Sequence, residues 1–200
     1  MTEHSHGSVS RAGSRYKTRL VWVFGLVVVF MVAEIVAGIL TNSLALLSDA
    51  GHMATDALGL GMALAAIVAA DRAGTEGRRT FGLYRLEILA ALANAVLLFG
   101  VAIYVLYEAV QRLQEPPEIL SGPMLVVAVL GLLVNIVGWW LLREGAEESI
   151  NVEGAYLEVL ADLIGSVGVI AAALIILITG WPYADPIFGA AIGLFILPRA

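Results

Sequence analysis

The sequence predicts an all-α membrane protein, a six-helix transmembrane bundle with both termini cytoplasmic. Three observations lead there. Hydrophobic residues make up 60% of the chain and its mean hydropathy is +0.91, outside the range of a water-soluble domain. Six apolar runs recur along the 200 residues, joined by short polar links. Of the 11 Lys and Arg residues, all but Arg112 fall on one side when the runs are threaded up and down through a bilayer.

Residues 1–19 are polar and lack apolar periodicity, so they read as a flexible cytoplasmic tail ahead of a transmembrane domain over 20–200. His4 and His6 read first as solvated histidines, with loose metal binding as the alternative. The tail is not a signal peptide, because the apolar run behind its basic residues is a full span with no small-residue cleavage site. The spans lie near 20–40, 43–70, 80–110, 122–142, 151–179 and 184–197. Most meet the requirement of about 20 apolar residues, and the last is shorter. The links TNS and GWPYAD are short enough to force helical hairpins.

Arg11, Arg15, Lys17 and Arg19 precede the first span, and Arg72, Arg78, Arg79 and Arg85 flank the link between the second and third. Arg143 follows the fourth span and Arg199 the sixth. That asymmetry places the termini and both inner loops in the cytoplasm.

The second span carries Asp49, His52 and Asp56. An ionisable group at membrane depth costs at least about 2.5–3.5 kcal/mol, so three on one helix require a reason. His52 and Asp56 are four apart and share a helix face. The fifth span repeats the device with Glu158 and Asp162. A shift of 106 residues lays His52 on Glu158, Asp56 on Asp162 and Gly59 on Gly165.

At about 1.5 Å per residue, His52 and Asp56 lie roughly 13 and 20 Å from the outer surface. Glu158 and Asp162 lie roughly 10 and 16 Å from the inner one. In a core of about 30 Å, His52 is level with Asp162 and Asp56 with Glu158. The alternative is a set of structural carboxyls sharing protons. No Lys or Arg lies at this depth, so protons or a cation must neutralise the group.

Asp49 is either a vestibule carboxylate or a helix cap. Glu34 and Asn135 either line a pathway or, the favoured reading, hydrogen-bond between helices. Glu87 pairs with an arginine near the cytoplasmic boundary, and Glu108 and Glu153 reach water at span ends. Gly154, Gly165, Ser166 and Gly168 let the fifth helix approach its neighbours closely.

The chain has no cysteine, so a metal would be held by imidazole, carboxylate, carbonyl or water. Such ligands suit zinc and harder ions rather than copper(I). A net charge of −6, with the basic residues beside membrane segments, gives no nucleic-acid signal.

The runs TNSLALLSDAGHMATDALGL, RRTFGLYRLEILAALANA and NVEGAYLEVLADLIGSVGVI, in that order, resemble the cation diffusion facilitator family of zinc transporters. The resemblance extends from the first span to Pro198. It implies a homodimer, metal/proton antiport and a tetrahedral site at His52, Asp56, Glu158 and Asp162, with zinc as the usual cargo and no resident cofactor. Cadmium and cobalt are further cargoes in the family.

Two departures stand out. Many zinc-specific members have histidine where this chain has Glu158, and members usually continue into a cytoplasmic domain where this chain reads LPRA. The link DRAGTEGRRT lacks the histidines common in the family, so no second metal site is expected there, although Asp71 and Glu76 attract cations weakly. A membrane metallohydrolase is disfavoured by the lack of an HExxH-type motif and by four ligands leaving no open position. A metal sensor is disfavoured because no soluble output domain is in view. The expected function is efflux of a divalent cation from a bacterial cell across its inner membrane.

Overall fold

A computed structural model describes the backbone of residues 7–73, 80–146 and 150–196, and side chains over 18–65 except 63, at 89, and over 92–146 and 152–195. Six helices follow one another: α1 (Gly7–Thr41), α2 (Leu44–Ala73), α3 (Thr80–Gln114), α4 (Ser121–Ala146), α5 (Ile150–Thr179) and α6 (Ala184–Ile196). All six expected spans are present, four of them long and apolar enough to cross a membrane among the described residues. α2 is 30 residues long and carries the ionisable groups, while α6 is a shorter apolar helix.

One boundary differs from expectation. The segment read as a flexible tail is helical from Gly7. It contains no proline, and extending a helix already nucleated by a membrane span is far easier than starting one. His4 and His6 lie outside the described residues, as do Glu76 and the side chains of Asp71 and Glu87.

The packing is inverted relative to a soluble protein. Trp22, Val29, Ile39, Leu89, Val96, Ile103, Leu133 and Ile178 are exposed. Glu34, Ser48, Asp49, His52, Asn135, Asp162 and Ser166 are buried. Apolar side chains facing outward are what lipid requires, and polar groups must find partners within the bundle. Helices α1, α2, α5 and α4 form a ring of successive contacts, and α3 and α6 pack together against α2.

The three short turns meet at one end of the bundle, which confirms the up-and-down threading. α1 ends with Asn42 in the left-handed region (φ 57), and Ser43 N–H donates to Gly38 O at 3.0 Å. That is the helix-ending pattern in which a left-handed residue returns the chain on itself. Leu120 N–H donates to Thr41 O (3.1 Å), and Asn42 Nδ2 to Glu118 O (3.3 Å), tying the α3–α4 link to the α1–α2 turn.

α6 supplies the cap of α2. Asp185, fully buried, accepts from Ser43 Oγ (2.6 Å), Leu44 N–H (2.7 Å) and Ala45 N–H (3.1 Å). A carboxylate here satisfies amides that have no partner inside α2 and complements the positive end of its dipole. One turn on, Gly189 permits the approach, since a Cβ there would stand 3.1 Å from the backbone of Leu44 and Ala45.

Arg112, the exception to the basic asymmetry, has its place in the same junction. It donates to Asn42 O and to Glu108 Oε1 (2.9 Å), and its guanidinium lies 3.7 Å from Asp185. Glu108 is therefore an ion-pair partner as well as a span-end residue. At the opposite end Arg19 pairs with Glu144 at 2.9 Å.

Asp185→Ala orphans two buried amides and a hydroxyl. It should lower stability by about 1–3 kcal/mol, read as a lower thermal unfolding midpoint of the detergent-solubilised protein. An unchanged midpoint would remove the cap from this account.

Candidate metal-binding site

α2 and α5 run antiparallel through the bundle, and their facing sides hold the ionisable groups that the sequence singles out. His52 and Asp56 lie one turn apart, as the four-residue spacing requires. His52 Nε2 stands 3.4 Å from Asp56 Oδ2 and 3.4 Å from Asp162 Oδ1. His52 and Asp162 are only 5% and 1% exposed. The backbone below His52 is steadied by Thr55, whose hydroxyl donates to the His52 carbonyl at 2.7 Å.

One ligand atom from each of His52, Asp56 and Asp162 lies within 4.8 Å of the other two. A tetrahedral ion holding nitrogen and oxygen at about 2.0–2.2 Å sets neighbouring ligand atoms about 3.4 Å apart. The two measured separations match that edge length. A divalent ion would be held between these three groups, its charge balancing the two carboxylates.

Glu158 stands apart. Its carboxylate lies against Gly59, where a Cβ would stand 3.1 Å from Oε1. Gly59 is nearly one turn beyond Asp56, so Glu158 borders the cluster without joining it. The structure brings together three of the four residues that the sequence proposes as ligands and sets the fourth at the edge.

Two further groups are resolved. Asn135 Nδ2 donates to Ser166 Oγ at 3.1 Å between α4 and α5, the packing role favoured for it. Asp49 neither caps a helix nor opens to a vestibule; it is buried, as is Glu34 on α1, and the two carboxyls hydrogen-bond to each other. Spacing could not reveal this pair because its members come from different helices. The only signal was two acids in spans that should avoid them.

Residues 20–200 match the cation efflux transmembrane domain. The chain belongs to the cation efflux family.

Its relatives are long-named for metals. The metal cation efflux system protein CzcD of Cupriavidus metallidurans is 58% identical over 170 residues, covering 85% of this chain and 54% of that protein. The zinc transporter ZitB of Escherichia coli is 46% identical over 198 residues, 98% of this chain and 63% of ZitB. The cadmium, cobalt and zinc/H(+)-K(+) antiporter of Bacillus subtilis is 39% identical over 196 residues, 97% of this chain and 61% of the antiporter. The chain thus spans somewhat over half the length of these cation efflux proteins. Membership makes it a multi-pass membrane protein.

Loss of an outer-shell partner alone weakens metal sites by about 10–100-fold. His52→Ala and Asp162→Ala, which remove ligands, should weaken zinc binding by at least about 100-fold, measured by equilibrium titration of the purified protein. Wild-type affinity in either variant would remove that residue from the site.

Proposed function

We propose that this chain is the transmembrane transport unit of a divalent-cation exporter, with Zn²⁺ as its cargo, that exchanges metal for protons across a bacterial inner membrane. The observation that carries this reading is the His52–Asp56–Asp162 cluster, with its 3.4 Å separations, buried between two membrane helices. The names of the relatives support metal as cargo, and that of the Bacillus antiporter supports protons as counter-ion. Metal is cargo here, held for part of a cycle.

Exchange follows from competition. Zinc needs a neutral imidazole and ionised carboxylates, whereas the empty site binds protons on the same lone pairs. A site near the midplane reached alternately from each face turns that competition into antiport. Glu158, at the cluster's edge, would complete the tetrahedron by a rotamer change or a small slide of α5. We further propose a homodimer, on family resemblance alone.

The deciding experiment is zinc flux into proteoliposomes containing a pH dye. Zinc movement should be matched by opposite proton movement and lost in Asp56→Ala. An unperturbed histidine titrates near pH 6.5. Acidifying the metal-loading side from about 8 to about 5.5 should slow flux, because protons compete with zinc for the lone pairs of the site. Indifference to pH over that range would indicate a uniporter.

A site with one imidazole and three carboxylates is harder than one with two of each. Glu158→His should keep zinc transport and narrow tolerance for Mn²⁺ and Co²⁺, read by competition against Zn²⁺. An unchanged selectivity order would mean that Glu158 never joins the metal.

The basic asymmetry supports cytoplasmic termini. Cysteines at Ser8 and at exposed Glu118 in this cysteine-free chain should react with an impermeant reagent from opposite faces. Glu118 is preferred to Gly180, whose φ of 69 would strain a side chain. Labelling from the same face would overturn the topology.

A further inference from the structure

Beside the metal cluster, on the side facing the α1–α2 turn, lies a second buried acidic element. Glu34 of α1 and Asp49 of α2 are each 1% exposed and hydrogen-bond to one another. No other described residue donates to Glu34 Oε2 or Asp49 Oδ1. Two carboxyl groups can hydrogen-bond only if at least one proton lies between them.

The surroundings leave room for little else. Glu34 abuts Gly131 of α4, where a Cβ would stand 3.3 Å from Oε1. Asp49 abuts Gly165 of α5, where a Cβ would stand 2.5 Å from Oδ1. The nearby polar groups, Asn135 and Ser166, are engaged with each other. Two residues are too few to replace a cation's water shell. A proton needs neither space nor further ligands.

We propose that Glu34 and Asp49 form a proton-binding carboxyl pair, separate from the metal ligands, that carries a counter-transported proton. This rests on the antiport reading above. Among the described residues, the ionisable groups near the pair are acidic apart from the site histidine. Asp56 on α2 acts electrostatically on Asp49, Asp162 on α5 acts on Glu34, and His52 follows Asp49 by three residues on α2. α4 and α6 add no cation here among the described residues; Arg143 lies near the end of α4, and Asp185 caps α2.

The exchange balances simply. With the metal cluster empty, the pair holds two protons and is neutral, one O–H donating to the other carboxyl. A divalent ion arriving among His52, Asp56 and Asp162 favours negative charge nearby, so one O–H ionises and its proton leaves to water. The remaining proton is shared, and the pair carries a single negative charge. On metal release the second proton returns. Full ionisation does not occur, since like charges in contact disfavour it. The pair therefore contributes one proton per metal in addition to those displaced from the ligands.

The test is calorimetric titration of the purified chain with Zn²⁺ in buffers of different ionisation enthalpy, which counts protons released per metal bound. Each single variant leaves one carboxyl able to ionise, so the test uses the double variant Glu34→Gln/Asp49→Asn, which should bind the same number of zinc ions and release about one fewer proton for each. Glu34→Gln/Asp49→Ser carries the test if that variant fails to fold. An unchanged proton count would make the pair purely structural. Loss of one bound zinc would make it a metal site. Both outcomes overturn the proposal. His52→Ala, run alongside, reports separately: if it leaves zinc binding intact, the metal-site reading has failed instead.

Discussion

The structure depends on one constraint: within a bilayer no water is at hand to satisfy a polar group, so each must be satisfied within the bundle. α2 concentrates that demand. It brings Ser43, Ser48, Asp49, His52, Thr55 and Asp56 into the bundle, most of them fully buried. Its neighbours answer in sequence along its length. Asp185 of α6 meets its first amides, Glu34 of α1 meets Asp49, and Asp162 of α5 meets His52. The order of packing around α2 thus follows the order of its polar residues.

Much of this was legible in the sequence. Span count and limits came from apolar run length, and the α2–α5 pairing came from two ionisable pairs in registers 106 residues apart. What depth arithmetic misplaced was Glu158. It ranked Cα positions, and side chains lean toward the N-terminus of their own helix. The same lean acts on His52 and Asp162, which do meet, so it does not by itself account for Glu158, which lies against Gly59. The Glu34–Asp49 contact was illegible for another reason: no periodicity within one helix reports which residue of another it will face.

The end of the bundle with the short turns is held by a connected set of polar contacts. Hydrogen bonds of Asp185, Arg112, Asn42 and Ser43 and an Arg112–Asp185 ion pair link α1, α2, α3 and α6 there. Arg112 sits there because four chain segments converge on carbonyls and a carboxylate that need a donor; topology signals are overridden by that local need. At the other end, the described long-range ion pair is Arg19–Glu144, exposed on both sides and therefore of little energetic weight.

Three intramembrane acids face glycines rather than cations. Glu158 lies on Gly59, Glu34 on Gly131 and Asp49 on Gly165. A salt bridge in this environment would fix each carboxyl in one geometry, and breaking it would leave a buried unpaired charge at a cost of about 3–5 kcal/mol. A glycine gives the carboxyl space and fixes nothing. For Glu34 and Asp49, which hydrogen-bond to each other, no described Lys or Arg supplies compensation, so a shared proton does. Small residues on the facing helices and the absence of cations at this depth among the described residues are therefore one design. The same contacts that let the helices pack closely leave their carboxyls chemically available. A bundle built this way holds its shape through the clamp at one end and keeps its charge balance open at the centre.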